Sequence, residues 1–286
     1  MLRKTIYDSK IELKLHKELE TKWGTKVKIH DHVPVRNVVE LFSKELSLKR
    51  NQREYLLKSD FDYVIATEEG EPYLVIEFDG LGEGFSRNGA YVQLKEYPGD
   101  PNRKWKLDLK IWLCEKVNLP LVVISYPEVE KLVDDYTILD GIVGNILADK
   151  AFDKAFDKDL EKLLKRIQNI EDAEERQSII DNYGIEKETR AQIENNPVIA
   201  EGIKLEYELK KEGVIKTPFG TRRHVKNGNE LVVEYYVTLN NGKETNISET
   251  IVFREIKCNV ISLGDLGADI AKLLLLKKLS NMPRIN

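Results

Sequence analysis

At 286 residues, with 41% hydrophobic and 33% charged side chains, the chain is long enough for one large domain or two smaller ones with real cores, and its composition is neither disordered nor fibrous. Lys and Arg number 45 against 49 Asp and Glu, a net charge of -4, which excludes a uniformly basic coat and makes any nucleic-acid affinity focal. No run approaches the roughly eighteen apolar residues of a membrane span, the opening MLRKTIYDSK lacks a signal peptide's apolar stretch, and Cys114 and Cys258 show no paired spacing; the expectation is a soluble, cytoplasmic protein with no membrane partner and two free thiols.

In chain order, Ser9 and Glu12 have the spacing of a capping box. Ile11, Leu15 and Leu19 recur every four residues before Gly24, which predicts a helix over about 9–23. Val27 to Val39 reads as irregular or strand-like, and residues 40–57 as charged and helical. Phe61 to Ala66 and Tyr73 to Phe78 are strand runs separated by the turn chemistry of Thr67 to Pro72, a hairpin. Asp79 to Asn102 carries five glycines and two prolines and reads mostly as a long, functional loop. A helix over 103–117 follows, with Trp105, Leu109, Trp112 and Leu113 on its apolar stripe, then Leu119 to Ser125, an apolar run suited to a strand buried on both faces. The predicted class is α/β, a mixed sheet flanked by helices.

Past residue 150, Phe152, Phe156, Leu160, Leu163, Ile167 and Ile170 form an amphipathic helix. The strands Leu231 to Leu239 and Ile247 to Lys257 flank the hairpin signal Asn240-Asn241-Gly242, and a Leu-rich helix over 265–279 closes the chain. The predicted division is 1–150, a helical linker region over 151–196, and a smaller α+β accessory domain over 197–286.

A hairpin turn centred between Glu69 and Gly70 pairs Ala66 with Tyr73, Ile65 with Leu74 and Asp62 with Glu77. Two carboxylates then face each other in an apolar hairpin, an arrangement that calls for a cation, and Mg²⁺ (or Mn²⁺) with oxygen ligands is the natural one. Asp79 shares Glu77's strand face and is a third candidate metal ligand. On the next helix Arg103, Lys106 and Lys110 recur at spacings of three and four, beside the apolar stripe, and Lys110 near a scissile phosphate would stabilise developing negative charge.

Asp62, then Glu77-Phe78-Asp79-Gly80, then Lys110 on the helix leading into Asn118-Leu119-Pro120-Leu121-Val122-Val123-Ile124 resembles the PD-(D/E)XK phosphodiesterases, the restriction-endonuclease-like superfamily. It is most similar to the branch with an IExDG strand and a lysine moved to the following helix, near the very-short-patch-repair endonucleases. The resemblance covers roughly residues 9–126. It implies an αβββαβ core with a four-stranded mixed sheet and Mg²⁺-dependent hydrolysis of nucleic acid, DNA before RNA. It also implies Asp62 and Glu77 as metal ligands, Lys110 as the migrated lysine, and Glu12 as a supporting acid. The usual lysine position two after Glu77 holds Asp79, so the lysine's role falls to Lys110. Gln93 and Tyr97 resemble the QxxxY string of exonucleases of this fold.

Arg87 in the glycine-rich loop, Arg103, Lys104 and Lys106 on the helix, and Arg222 and Arg223 in a Gly/Pro-bounded basic stretch are the candidate nucleic-acid contacts. Each candidate has a plainer reading beside it. Asp62 and Glu77 suit a strand edge in water, Glu12 suits the capping box alone, Asp79 suits a turn, and Lys104 with Asp108 makes an ordinary i,i+4 pair. Leu273 to Leu276 suits either a buried helix face or a homodimer interface, and none of the four histidines has metal-ligand spacing. The two functional expectations are therefore a metal-dependent endonuclease and a catalytically degenerate module of the same fold that binds nucleic acid or assembles with protein.

Overall fold

The structure, a computed structural model, describes residues 10–79, 82–85, 91–93, 100–125, 137–226, 230–240, 244–253, 256–258 and 262–282. The chain divides into two compact units. Unit 1 comprises Met1–Tyr136, Arg223–Val232 and Val252–Gly264, and unit 2 comprises Thr137–Arg222, Val233–Ile251 and Asp265–Asn286.

Unit 1 opens with helix α1 (Lys10–Trp23), whose Leu15, Leu19 and Trp23 are buried at four-residue spacing. Gly24 closes it by a close approach, not by a left-handed turn: a Cβ there would stand 2.5 Å from the Glu20 carbonyl oxygen. Strand β1 (Lys28–Pro34) gives way to a short helix, α2 (Val35–Val38), and a 3₁₀ turn and helix α3 (Arg50–Leu56) lead to strands β2 (Asp60–Ala66) and β3 (Pro72–Asp79). In the intervening turn the Thr67 hydroxyl accepts from the Glu69 and Glu71 N–H groups, both at 3.1 Å, and Gly70 takes the positive φ of 88° that a side chain resists.

The hairpin register pairs Tyr63 with Ile76, Val64 with Val75 and Ile65 with Leu74, as the turn chemistry predicts; a bulge then sets Ala66 opposite Pro72 instead of Tyr73. The glycine-rich stretch is not all loop, since β4 (Gly82–Phe85) pairs antiparallel with β5 (Tyr91–Gln93). Helix α4 (Arg103–Lys116) and strand β6 (Leu121–Ser125) complete the succession, with β6 parallel to β3.

Among the described residues the expected four-stranded mixed sheet, β1-β2-β3-β6, is present, and a fifth strand extends it. Three residues far along the chain, Ile256–Cys258, add antiparallel to β6, with Lys257 opposite Val123. An apolar inner strand such as β6 presents unpaired backbone groups along its outer edge, and a short strand from elsewhere in the chain covers them. The sheet is thus mixed, with helices on it: Val64, Val75, Leu121 and Val123 share a core with Leu107, Leu113 and Cys114 of α4, while Tyr63 on the opposite face stacks on His16 of α1, with ring centroids 6.2 Å apart.

Unit 2 begins with α5 (Thr137–Ile167), an unbroken helix that runs through the expected boundary at 150 and places the division at Tyr136/Thr137. It contains the predicted Phe152 to Ile167 stripe, and Ile170 falls beyond its end. Helix α6 (Ala173–Asn195) is capped by Asp172, and α7 (Pro197–Lys211) by Asn196, whose Oδ1 accepts from the Val198 N–H at 3.1 Å. Strands β7 (Ile215–Lys226), β8 (Glu230–Asn240) and β9 (Glu244–Phe253) form a three-stranded sheet in that order, and β10 is the Ile256–Cys258 strand of unit 1. Helix α8 (Leu263–Ser280) buries Leu273, Leu275 and Leu276. Among the described residues no helix is long and apolar enough to cross a membrane.

Candidate active site

Alternation along β3 puts Val75 and Glu77 on one face of the sheet, and α4 covers that face. On α4, Lys110 lies three residues after Leu107 and three before Leu113, so it belongs to the buried stripe rather than beside it as the sequence suggested. The two side chains meet in the interior, with Lys110 8% and Glu77 5% exposed. The Lys110 ammonium donates to Glu77 Oε1 at 2.8 Å, to Glu77 Oε2 at 2.7 Å and to the Asp60 carbonyl at 2.7 Å, which accounts for its three donors. Its charge also sits over the Phe61 ring, 5.7 Å from the centroid.

The β2–β3 ladder ends at Tyr63 and Ile76, and the next residues outward, Asp62 and Glu77, line the same cleft. Asp62 Oδ2 accepts from the Phe78 N–H at 2.6 Å, fixing that carboxylate at the sheet end where β3 leaves the hairpin. Burial pushes the Glu77 carboxyl up to about 8, opposed by Lys110 and reinforced by the neighbouring charge of Asp62. Burial acts to lower the Lys110 ammonium, but Glu77 and Asp62 together outweigh it and hold it above its ordinary value. The site therefore keeps a fixed cation against a carboxyl group whose ionised form burial disfavours and that cation supports.

These groups open into a cleft of about 230 Å³ lined by Tyr55, Asp62, Glu77, Asp100, Arg103, Lys106 and Lys110, among others. The structure thus brings together five of the predicted residues: Asp62, Glu77, Lys110, Arg103 and Lys106. Lys104 is instead paired with Asp108 at 2.6 Å, on the neighbouring surface of α4. Arg222 and Arg223 are exposed on strand β7, and Arg222 stands over the Tyr236 ring, 5.1 Å from its centroid. Glu12 and Asp79 lie on α1 and β3, but their side chains, like Gln93's and the whole of Arg87 and Tyr97, fall outside the described residues.

Two cleft residues were not anticipated. Asp100 accepts from Lys106 Nζ at 2.8 Å and from the Asn102 N–H at 3.1 Å, holding the start of α4; its place two residues before Asn102, ahead of a helix, was the available signal. Tyr55 comes from α3, and its hydroxyl is held above the usual tyrosine range by burial. Nothing local in the sequence marks it, because only the packing of α3 against α4 brings it there.

The oxygen donors of Asp62 and Glu77 suit a hard divalent cation. Among the described residues no group of three or more His, Cys, Asp or Glu side chains is arranged to hold a metal ion, and a cation bound to Glu77 must share or displace the Lys110 ammonium. No protein-family model, curated protein or solved structure matches the chain.

Proposed function

We propose that this protein is a metal-dependent nuclease of the PD-(D/E)XK, restriction-endonuclease-like kind, hydrolysing nucleic-acid phosphodiesters, DNA in preference to RNA. The observation that carries the reading is the meeting of Glu77 and Lys110 in a cleft that also contains Asp62, three groups brought from two strands and the following helix. With the short α2, the 3₁₀ turn, α3 and the β4–β5 pair taken as insertions, the order α1, β1, β2, β3, α4, β6, with β6 parallel to β3, supports it as an αβββαβ core.

Asp62 and Glu77 would hold Mg²⁺ (or Mn²⁺), which when bound supplies Lewis-acid polarisation of a phosphoryl oxygen and a water of lowered pKa. Lys110, held in its charged form, works as an electrostatic group at neutral pH and not as a base; it offsets the negative charge that develops at phosphorus. Arg103 and Lys106, at the same cleft, bind and orient the neighbouring phosphates without reading sequence.

The bidentate hold of Lys110 on both Glu77 oxygens favours a second reading, a degenerate module in which that ion pair has replaced a metal site. Cleavage of plasmid, single-stranded DNA and RNA in Mg²⁺ or Mn²⁺ separates the two. The nuclease reading expects Glu77→Ala and Lys110→Ala each to lower the rate by at least about 10²-fold. Calorimetric Mn²⁺ binding that disappears in an Asp62→Asn, Glu77→Gln variant belongs to the same reading. Inactivity on every substrate together with no Mn²⁺ binding leaves the second.

A further inference from the structure

Beside the cleft, on the same helix, lies a larger groove of about 480 Å³ that the catalytic reading does not use. It is lined by Gln52 of α3 and by Pro101, Lys104, Trp105, Asp108, Leu109 and Trp112 along α4. Trp105 is 38% exposed, unusual for a tryptophan with no catalytic duty, and its ring packs against Tyr55 with centroids 5.4 Å apart. Tyr55 in turn lines the cleft, and Lys106 stands over its ring, 5.8 Å from the centroid. The first turns of α4 therefore alternate between two surfaces, Arg103 and Lys106 facing the cleft, Lys104, Trp105 and Asp108 facing the groove.

We infer that the groove is a stacking site for an unpaired nucleobase of the strand whose phosphate occupies the cleft, so that the substrate carries a single-stranded segment, such as a flap, tail or melted end. The inference rests on the nuclease reading of the cleft. Aromatic faces beside a phosphate-binding basic surface are the elements by which single strands are held, because every base has a face to stack whatever its sequence. A base inside a duplex has its faces already covered by its neighbours and gains nothing from Trp105 or Trp112. Gln52 and the Lys104–Asp108 pair give the groove a polar rim able to meet the exposed edge of an unstacked base. The continuity through Tyr55 selects this occupant over a proline-rich peptide, which would have no use for the adjoining cleft with its Arg103 and its three carboxyl groups suited to a metal-bound phosphate.

The test uses the full chain carrying Glu77→Gln, in EDTA, so that binding is read without cleavage. Tryptophan fluorescence and anisotropy are followed on adding a twelve-nucleotide oligothymidylate, a blunt duplex of equal length, or a proline-rich peptide, the probe lengths being of the order of a single-strand site. Quenching by the oligothymidylate is expected, with affinity reduced on the order of tenfold by Trp105→Ala, largely kept by Trp105→Phe, and with duplex affinity unchanged in both. Melting curves of each variant verify folding, and Trp105→Phe keeps the test valid if the alanine variant is unstable. Equal single-strand affinity in native and Trp105→Ala protein overturns the inference, as does quenching by the peptide alone or binding of none of the probes. Failure of the nuclease reading shows separately, as absence of Glu77-dependent cleavage by the native chain in Mn²⁺.

Discussion

Unit 1 and unit 2 each contain a lysine meeting a carboxylate at nearly the same distance, Lys110 to Glu77 at 2.7 Å and Lys187 to Asp159 at 2.8 Å. The surroundings give the two pairs opposite properties. Asp159, with about a quarter of its side chain exposed, keeps its water and gains hydrogen bonds from Lys187 and from the Tyr183 hydroxyl, which hold its carboxyl down at about 2. Glu77 has lost its water, and the same kind of partner does not restore what burial took, so its carboxyl rises to about 8. An ion pair in a helix-to-helix surface is a staple of small value; one sealed between a sheet and a helix is costly to keep, and a cleft opening onto it is where a functional reason belongs.

The largest expected effect tests that cost directly. Lys110→Met leaves the buried Glu77 carboxyl, and the Asp60 carbonyl beside it, without their donor, and should destabilise the protein by about 3–5 kcal/mol in urea unfolding, whereas adding Glu77→Leu should recover most of the loss without restoring the proposed activity. A double variant that costs the sum of its single variants would break the comparison, because the two side chains would then be uncoupled.

The second effect is on pH dependence in the metal-free protein. Glu77 binds its proton more tightly folded than unfolded, so between its ordinary value of 4.5 and about 8 the folded state carries the extra proton and stability falls as pH rises. Lys110 has a folded value above its ordinary 10.5, so its contribution is intact throughout that window and disappears only as pH climbs past the folded value. Glu77→Gln should flatten the slope of unfolding free energy between roughly pH 5 and 8. An unchanged slope would mean that Glu77 is solvated like Asp159.

Smaller effects sharpen the contrast from the side of unit 2. Asn196 is 1% exposed yet neutral, and Asn196→Ala, which strips the α7 cap from Val198 and Ile199, should cost about 1–2 kcal/mol with little change from pH 5 to 8. The smallest change is expected for Lys187→Ala, whose melting midpoint should stay closest to native and whose difference from native should shrink further in about 1 M salt, where exposed charges are screened.

What could be read in advance was what is local. The hairpin register follows from turn chemistry at Thr67 to Pro72 and from the alternation on either side, which set Tyr63 opposite Ile76 and Val64 opposite Val75. The helix over Arg103–Lys116 and the apolar strand after it are likewise written in periodicity and run length. Helix α5 runs on through position 150, where the composition changes, because helix continuity depends on backbone hydrogen bonds that composition does not reveal. Pro218 and Gly220 suggest a break before Arg222, yet pairing with β8 keeps the strand extended through both.

The amino-acid order by itself determined which side chains share a strand face or a helix stripe, since those spacings are properties of the backbone within one element. It did not determine that Lys110 would be swallowed by the α4–sheet interface, that Tyr55 and Asp100 would stand at the same cleft, or that Ile256–Cys258 would cover the outer edge of β6. Those were decided by contacts between segments tens to more than a hundred positions apart, where burial and competition for solvent, rather than any local preference, set both the position of a charge and how tightly it holds its proton.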